Sequence, residues 1–378
     1  MSTSGWLAAE RVLCVRLDSM GDVLMTTPAM RALRNGGRRR ITLLASRAGG
    51  AIARFIPEVD EVIEFSAPWM KVPGAQREVD LRLIADLERQ RFDAAVIFTV
   101  YSQSPLPAAY LCYLAGIPLR AAHCRENPYE LLTDWVTEPE PERLLRHEVR
   151  RHLDLVARIG CSTTDVRLAF AVPRAARHTL AAAMADAGIE CERPLVVVHP
   201  GASAPSRRYP PEHYARAMDL LLARSNASAV FTGSRDETAL VSEIQAAMKQ
   251  PSHALAGCLS IAELGALLER AALLVSNNTG PVHIAAALGT PVVDLYALTN
   301  PQHTPWQVAS EVLYADVPCR YCYKSVCPVG HHRCLTGVAP ERVADAAARL
   351  LSCGRTLAAA PETYANPLPA PNTLALVD

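Results

Sequence analysis

The chain has 378 residues, with 38 Lys plus Arg against 38 Asp plus Glu, so its formal net charge is zero. Half of the residues are hydrophobic. That supplies cores for about two domains, and the neutral balance removes bulk nucleic-acid binding as a function class. The 11 cysteines, an odd number, fit a reducing compartment better than a disulfide scaffold. The opening residues lack a basic-then-apolar leader, and no run nears the ~18 apolar residues of a membrane span, so the reading is a cytoplasmic protein that at most touches the inner membrane peripherally.

In chain order, Arg11–Leu17 reads as a buried strand, Asp22–Leu33 as a helix, Ile41–Ala45 and Val62–Phe65 as strands, Val79–Arg89 as a helix and Ala94–Phe98 as a strand. A charged, proline-bearing stretch (Thr137–Arg143) precedes a helix that runs to about Ile159, and Leu168–Pro173 reads as a crossing between domains. A helix over Arg174–Gly188 then leads into a second round of the same rhythm. Its strands are Leu195–Val198, Ala229–Thr232, Leu273–Ser276 and Val292–Tyr296, and its helices Pro211–Ala223, Glu237–Met248, Ile261–Arg270 and Pro281–Leu288. Repeated βαβ units imply parallel sheets covered by helices, with ligands at the carboxyl ends of the strands. The expected architecture is α/β, two Rossmann-like doubly wound domains facing a central cleft. The domains are residues 1–172 and 173–353, followed by a flexible tail at 354–378.

Three loops carry the candidate chemistry. After the first strand comes Asp18-Ser19-Met20-Gly21-Asp22. Gly21 permits a tight strand-to-helix turn, and Asp22 falls at a helix N-terminus, where the macrodipole favours a carboxylate. Asp22 reads equally as a helix cap or as a general base. No G-x-G-x-x-G is present here, so a nicotinamide cofactor is not favoured. After Leu195–Val198 comes His-Pro-Gly201-Ala202-Ser203, then Arg207-Arg208. Small residues let backbone N–H groups approach a phosphate, and paired arginines can neutralise a diphosphate; the alternative is an ordinary surface loop. After Leu273–Ser276 comes Asn277-Asn278-Thr279-Gly280-Pro281-Val282-His283. Pro281 suits a helix start, the N–H groups near Thr279 and Gly280 can receive a diphosphate, and His283 lies near enough to contact phosphate or ribose.

Arginines cluster at Arg31, Arg34, Arg38–Arg40 and again at Arg143, Arg146, Arg150 and Arg151. They read as solvated faces, or as contacts to an anionic substrate or membrane surface. Cys319-x2-Cys322-x4-Cys327-x6-Cys334 encloses His331 and His332. Four soft ligands could form a structural zinc or iron site; the alternative is a set of reduced thiols.

RVLCVRLDSMGDVLMTTPAMRALR, the HPGAS loop with its following arginines, and NNTGPVHIAAALGTPVV resemble glycosyltransferase family nine, the ADP-heptose:lipopolysaccharide heptosyltransferases. The resemblance spans about residues 11–350. It implies the GT-B fold and inverting transfer from ADP-L-glycero-D-manno-heptose to an anionic glycolipid acceptor of the lipopolysaccharide inner core, with no cofactor required for catalysis. By the same resemblance Asp22 is the base. Arg207 contacts the donor diphosphate, with Gly21, Gly201, Ala202, Ser203, Asn278, Thr279, Gly280 and His283 in the donor set. Arg31, Arg34, Arg146 and Arg150 are the candidate acceptor contacts. One departure stands out: the acidic position of the family's Asp-Thr-Gly signature is Asn278 here, and an amide cannot act as a base.

Overall fold

The computed structural model describes residues 3–35, 38–70, 76–190 and 192–355. All of the expected tail except Gly354 and Arg355 lies outside the described residues. The described residues divide into two compact units, one built from the described residues of 3–54 and 58–166, the other from those of 55–57 and 167–355.

In the first unit, six strands form one sheet: β1 (Arg11–Arg16), β2 (Arg40–Ala45), β3 (Glu61–Glu64), β4 (Ala94–Ile97), β5 (Leu119–Cys124) and β6 (Asp134–Thr137), in the order β3-β2-β1-β4-β5-β6. Each neighbouring pair is parallel. Parallel strands are covered on both faces, so the central ones read as near-continuous apolar runs. β4, Ala-Ala-Val-Ile, is buried throughout. The helices Met20–Asn35 and Glu148–Arg158 pack against each other, and the second opens on His147, whose Nδ1 accepts the Val149 N–H at 3.2 Å.

The second unit repeats the plan with β7 (Leu195–His199), β8 (Ser228–Phe231), β9 (His253–Ala254), β10 (Leu273–Asn277), β11 (Val292–Leu295) and β12 (Ser310–Leu313), ordered β12-β11-β10-β7-β8-β9 and again parallel. Its core joins Val196, Val198, Phe231 and Val275 to Tyr214, Met218 and Leu221 of the helix Pro211–Leu222. The helix Gly280–Leu288 stops where Gly289 takes φ 71°, a left-handed backbone that a side chain would strain.

Both sheets have the 3-2-1-4-5-6 order of doubly wound folds, in which the chain reverses direction between the first and fourth strands. Those two switch points fall between β1 and β4 and between β7 and β10. The loops leaving β1, β7 and β10 are the ones that the sequence singles out.

Candidate active site

At the first switch point, β1 ends in Arg16, whose side chain is wholly buried. Its guanidinium meets three carboxylates, each at 3.2 Å: Nε faces Asp18, one terminal nitrogen faces Asp22, the other faces Glu148. A planar fork with five donors can span such a set, which an ammonium cannot. Asp22 Oδ2 also accepts the Ser19 backbone N–H at 2.9 Å and the Ser19 hydroxyl at 2.6 Å. Asp22 thus caps the helix and is clamped from the strand side, yet its side chain remains 12% exposed. Gly21 does not form the turn expected of it. The helix already begins at Met20, Gly21 is buried in its first turn, and the turn itself is Leu17–Ser19.

Burial raises the Asp18 pKa, which Arg16 opposes. Gln103 Nε2 donates to Asp18 Oδ1 at 2.7 Å. Asp18 and Gln103 line a cavity of about 300 Å³ together with Leu17, Trp69, Phe98 and Ser104. Its walls come from the segments after β1, β3 and β4. Sequence reasoning missed this cavity, because residues 69–70 and 98–108 carry no motif.

Behind Arg16 lies a buried ionic network. Glu148 Oε1 is 3.0 Å from His152 Nε2. Burial alone would raise Glu148, but His152, Arg16 and Arg151 outweigh it and hold the carboxyl well below its ordinary range. Burial lowers His152 to about 4, so its imidazole is neutral at physiological pH. Arg151, Glu138, Glu140 and Arg146 extend the network.

The four arginines expected at the acceptor each pair with a carboxylate. Arg31 pairs with Glu58 at 2.7 Å and Arg34 with Asp60 at 3.2 Å. Arg146 pairs with Asp154 at 2.8 Å and Glu140 at 3.4 Å, and Arg150 pairs with Asp154 at 3.3 Å. These clusters therefore do not present a bare cationic face. Sequence spacing hid it because most of the carboxylates lie on other elements.

In the second unit, one side chain holds two of the predicted loops together. Asn277, fully buried at the end of β10, donates from Nδ2 to the Pro200 carbonyl at 2.7 Å and accepts the Tyr209 N–H on Oδ1 at 3.1 Å. The stretch Pro200–Tyr209 is thereby fixed to the start of the helix that carries Pro281 and His283. Arg207 closes a short 3-10 turn, Pro205–Arg207, and Arg208 Nε donates to the Ala202 carbonyl at 2.8 Å. Thr279 takes the N-cap position without capping through its side chain, so Gly280 and Pro281 open the helix and His283 is buried in its first turns. Glu237 lies against Gly201: a Cβ placed there would come within 2.0 Å of its carboxylate. Asn278 Nδ2 donates to Asp294 Oδ2 and to the His303 carbonyl, both at 2.8 Å.

The cysteine segment packs against this site. Ser206 donates its N–H to the Ser325 carbonyl at 3.0 Å and its hydroxyl to the Lys324 carbonyl at 2.8 Å. Cys319 Sγ is 3.7 Å from His331 Nε2. Burial pushes the Cys327 thiol up, but the backbone N–H groups of His332, Val329, Gly330 and His331 together outweigh it and lower the thiol. Among the described residues no group of three or more Cys, His, Asp or Glu is arranged to hold a metal ion. Cys319, Cys322 and Cys327, the other members of the expected metal set, lie near enough to Cys334 to act on it electrostatically, and the segment also braces the turn at Ser206–Arg207. Among the described residues, no helix is long and apolar enough to cross a membrane.

Comparison with known proteins agrees with this fold. Lipooligosaccharide heptosyltransferase 2 of Haemophilus ducreyi is 25% identical over 359 residues, which is 91% of this chain and 100% of that one. A solved glycosyl transferase family 9 protein of Veillonella parvula superposes with a TM-score of 0.76 at 21% identity, covering 91% of this chain and 97% of that one. The Escherichia coli ADP-heptose lps heptosyltransferase II superposes with a TM-score of 0.70 at 24% identity, covering 91% and 99%. The signature of Glycosyltransferase family 9 (heptosyltransferase) matches residues 81–332, more than half of the chain, and with the GT-B plan of two parallel six-stranded sheets the protein belongs to that family of glycosyltransferases.

Proposed function

We propose that this glycosyltransferase moves heptose from ADP-L-glycero-D-manno-heptose, with inversion, onto the lipopolysaccharide inner core or a related anionic glycolipid. One observation carries the reading: the Asp22 carboxylate is held by Ser19 and Arg16 at the carboxyl end of β1, where an acceptor hydroxyl can reach it. The acceptor sits in the neighbouring cavity, with Trp69 offering an apolar face and Ser104 and Gln103 offering hydrogen bonds. Its hydroxyl gives its proton to Asp22 as the oxygen attacks the anomeric carbon, and the bond from that carbon to the diphosphate breaks, releasing ADP. Arg207 and the N–H groups at Gly201–Ser203 and Thr279–Gly280 stabilise the departing charge. No step is assigned to the cysteine segment. The name of the E. coli structural relative supports the donor assignment.

Asn278 favours a second reading, in which the same site takes a different nucleotide sugar, because the acidic residue of the resembling signature is absent there. Product formation from ADP-heptose, UDP-sugars and GDP-sugars, read by mass spectrometry, separates the two. Preference for a UDP- or GDP-sugar would sink the first.

A further inference from the structure

Asp294 belongs to none of the motifs, yet it sits at the centre of the second unit's site. It lies on β11 opposite Ser276 of β10 and is fully buried. Oδ2 accepts from Asn278 Nδ2 at 2.8 Å, and Oδ1 is buried with no hydrogen-bond partner among the described residues. A buried carboxylate with one oxygen unpaired is costly, and a site keeps one only where it is useful.

The orientation of Asn278 follows from its partners. An amide nitrogen has two hydrogens, and here one goes to Asp294 and the other to the His303 carbonyl at 2.8 Å. A carbonyl can only accept, so the nitrogen must occupy that position, and Oδ1 is left as the side chain's remaining polar atom. Asn277, the preceding residue, is locked between Pro200 and Tyr209, so the backbone cannot swing Asn278 away. Arg207 acts on Asp294 electrostatically, which ties this pair to the cationic position of the donor loop.

We propose that Asp294 is a positioning residue of the donor site, fixing the Asn278 amide so that its Oδ1 accepts a hydroxyl of the donor's sugar. This rests on the donor reading above. It explains why an amide replaces the acid at position 278: a carboxylate there would set its oxygen against two acceptors, Asp294 Oδ2 and the His303 carbonyl, where Nδ2 now bonds at 2.8 Å. The acid has in effect moved one strand over. Burial pushes Asp294 up to about 8, against the Asn278 hydrogen bond and Arg207, so near neutrality it is largely uncharged and does not repel a diphosphate.

The test is a four-corner cycle of wild type, Asn278→Asp, Asp294→Asn and the double variant. Kd values for ADP-heptose and for ADP are read by calorimetry and the melting temperature by scanning. Asn278→Asp is expected to weaken ADP-heptose about tenfold or more, the worth of one hydrogen bond to a charged or polar group, and to weaken ADP far less. The double variant recovers part of that loss, because an amide at 294 can donate to the carboxylate at 278 while the His303 carbonyl still faces an acceptor. Asn278→Asp binding ADP-heptose as well as wild type, or losses that multiply in the double variant, overturns the proposal. So does coupling confined to the melting temperature, the mark of a purely structural pair. If wild type binds neither ligand, the donor reading falls and the hydroxyl assignment with it; additive melting shifts instead identify failure of the pairing itself.

Discussion

Arg16→Gln is the most informative single change in the first unit. Arg16 is the shared partner of Asp18, Asp22 and Glu148, each at 3.2 Å, and its own side chain has no contact with solvent. Glutamine keeps much of the volume but leaves three closely spaced carboxylates without their common cation. Breaking a buried ion pair by removing one partner costs about 3–5 kcal/mol, chiefly because the surviving charge is uncompensated. For a domain of this size each kcal/mol lowers the melting temperature by roughly 2–4 °C, so the first unit should melt roughly 6–20 °C earlier. The deficit should also depend on pH. Without Arg16 the buried carboxylates have folded pKa values raised above the unfolded ones, so the folded state binds more protons and loses stability as pH rises. The variant should therefore lie nearer to wild type at pH 5 than at pH 8. Calorimetry at the two pH values, with Arg16→Lys alongside, checks this; the lysine variant should fall between the other two, since an ammonium cannot span three partners. A glutamine variant melting within about 2 °C of wild type at pH 8, well inside that range, would refute the idea that Arg16 holds this corner together.

Three further expectations follow from the second unit. Arg207→Ala should raise the donor KM about tenfold to a hundredfold, the worth of one charge-assisted contact, with Arg207→Lys closer to wild type in steady-state kinetics. Gly201→Ala would place a methyl within 2.0 Å of the Glu237 carboxylate, so Glu237 must move; calorimetric titration should show weaker ADP binding while the melting temperature changes little. Asp294 is raised by burial to about 8 in the folded state from 3.8, so the folded form holds the extra proton between those values. Its contribution to stability is present in full below pH 4 and is lost as pH rises toward 8, with a slope of up to about 1.4 kcal/mol per pH unit. Asp294→Asn should remove that slope in urea titrations run from pH 5 to pH 8, and an unchanged slope would count against the burial assignment.

The sheets were legible in the sequence because strands buried on both faces are short apolar runs bounded by punctuation. Val292–Tyr296 and Ile41–Ala45 match β11 and β2 to within a residue. The helix Leu106–Leu114 was not legible: Leu-Pro-Ala-Ala-Tyr-Leu-Cys-Tyr-Leu is apolar on most sides and has no amphipathic period. β5 was hidden for the opposite reason. Its Arg120 and His123 look like surface residues but are buried, Arg120 because it donates to the carbonyls of Glu130 and Leu131 at 2.7 and 2.8 Å. The loop after β7 and the loop after β10 were legible because glycine and proline mark backbone that must turn. The residues that hold those loops were not. Asn277 bonds to partners some 70 positions away, and Arg16 meets Glu148 across more than 130. No spacing rule connects such pairs until the strands are ordered. The same blindness hid the carboxylate partners of Arg31, Arg34, Arg146 and Arg150, which come mostly from other segments of the fold.

In the proposed reaction Asp22 removes the proton from an acceptor hydroxyl. The direct measurement is ADP release by the purified protein given ADP-heptose and heptose-free Kdo2-lipid A, with Asp22→Asn in parallel and ADP binding measured for both. The account predicts release that requires the acceptor and falls by about a hundredfold or more in the variant, the range of a lost general base, while ADP binding is unchanged. Release at the wild-type rate from Asp22→Asn would contradict it.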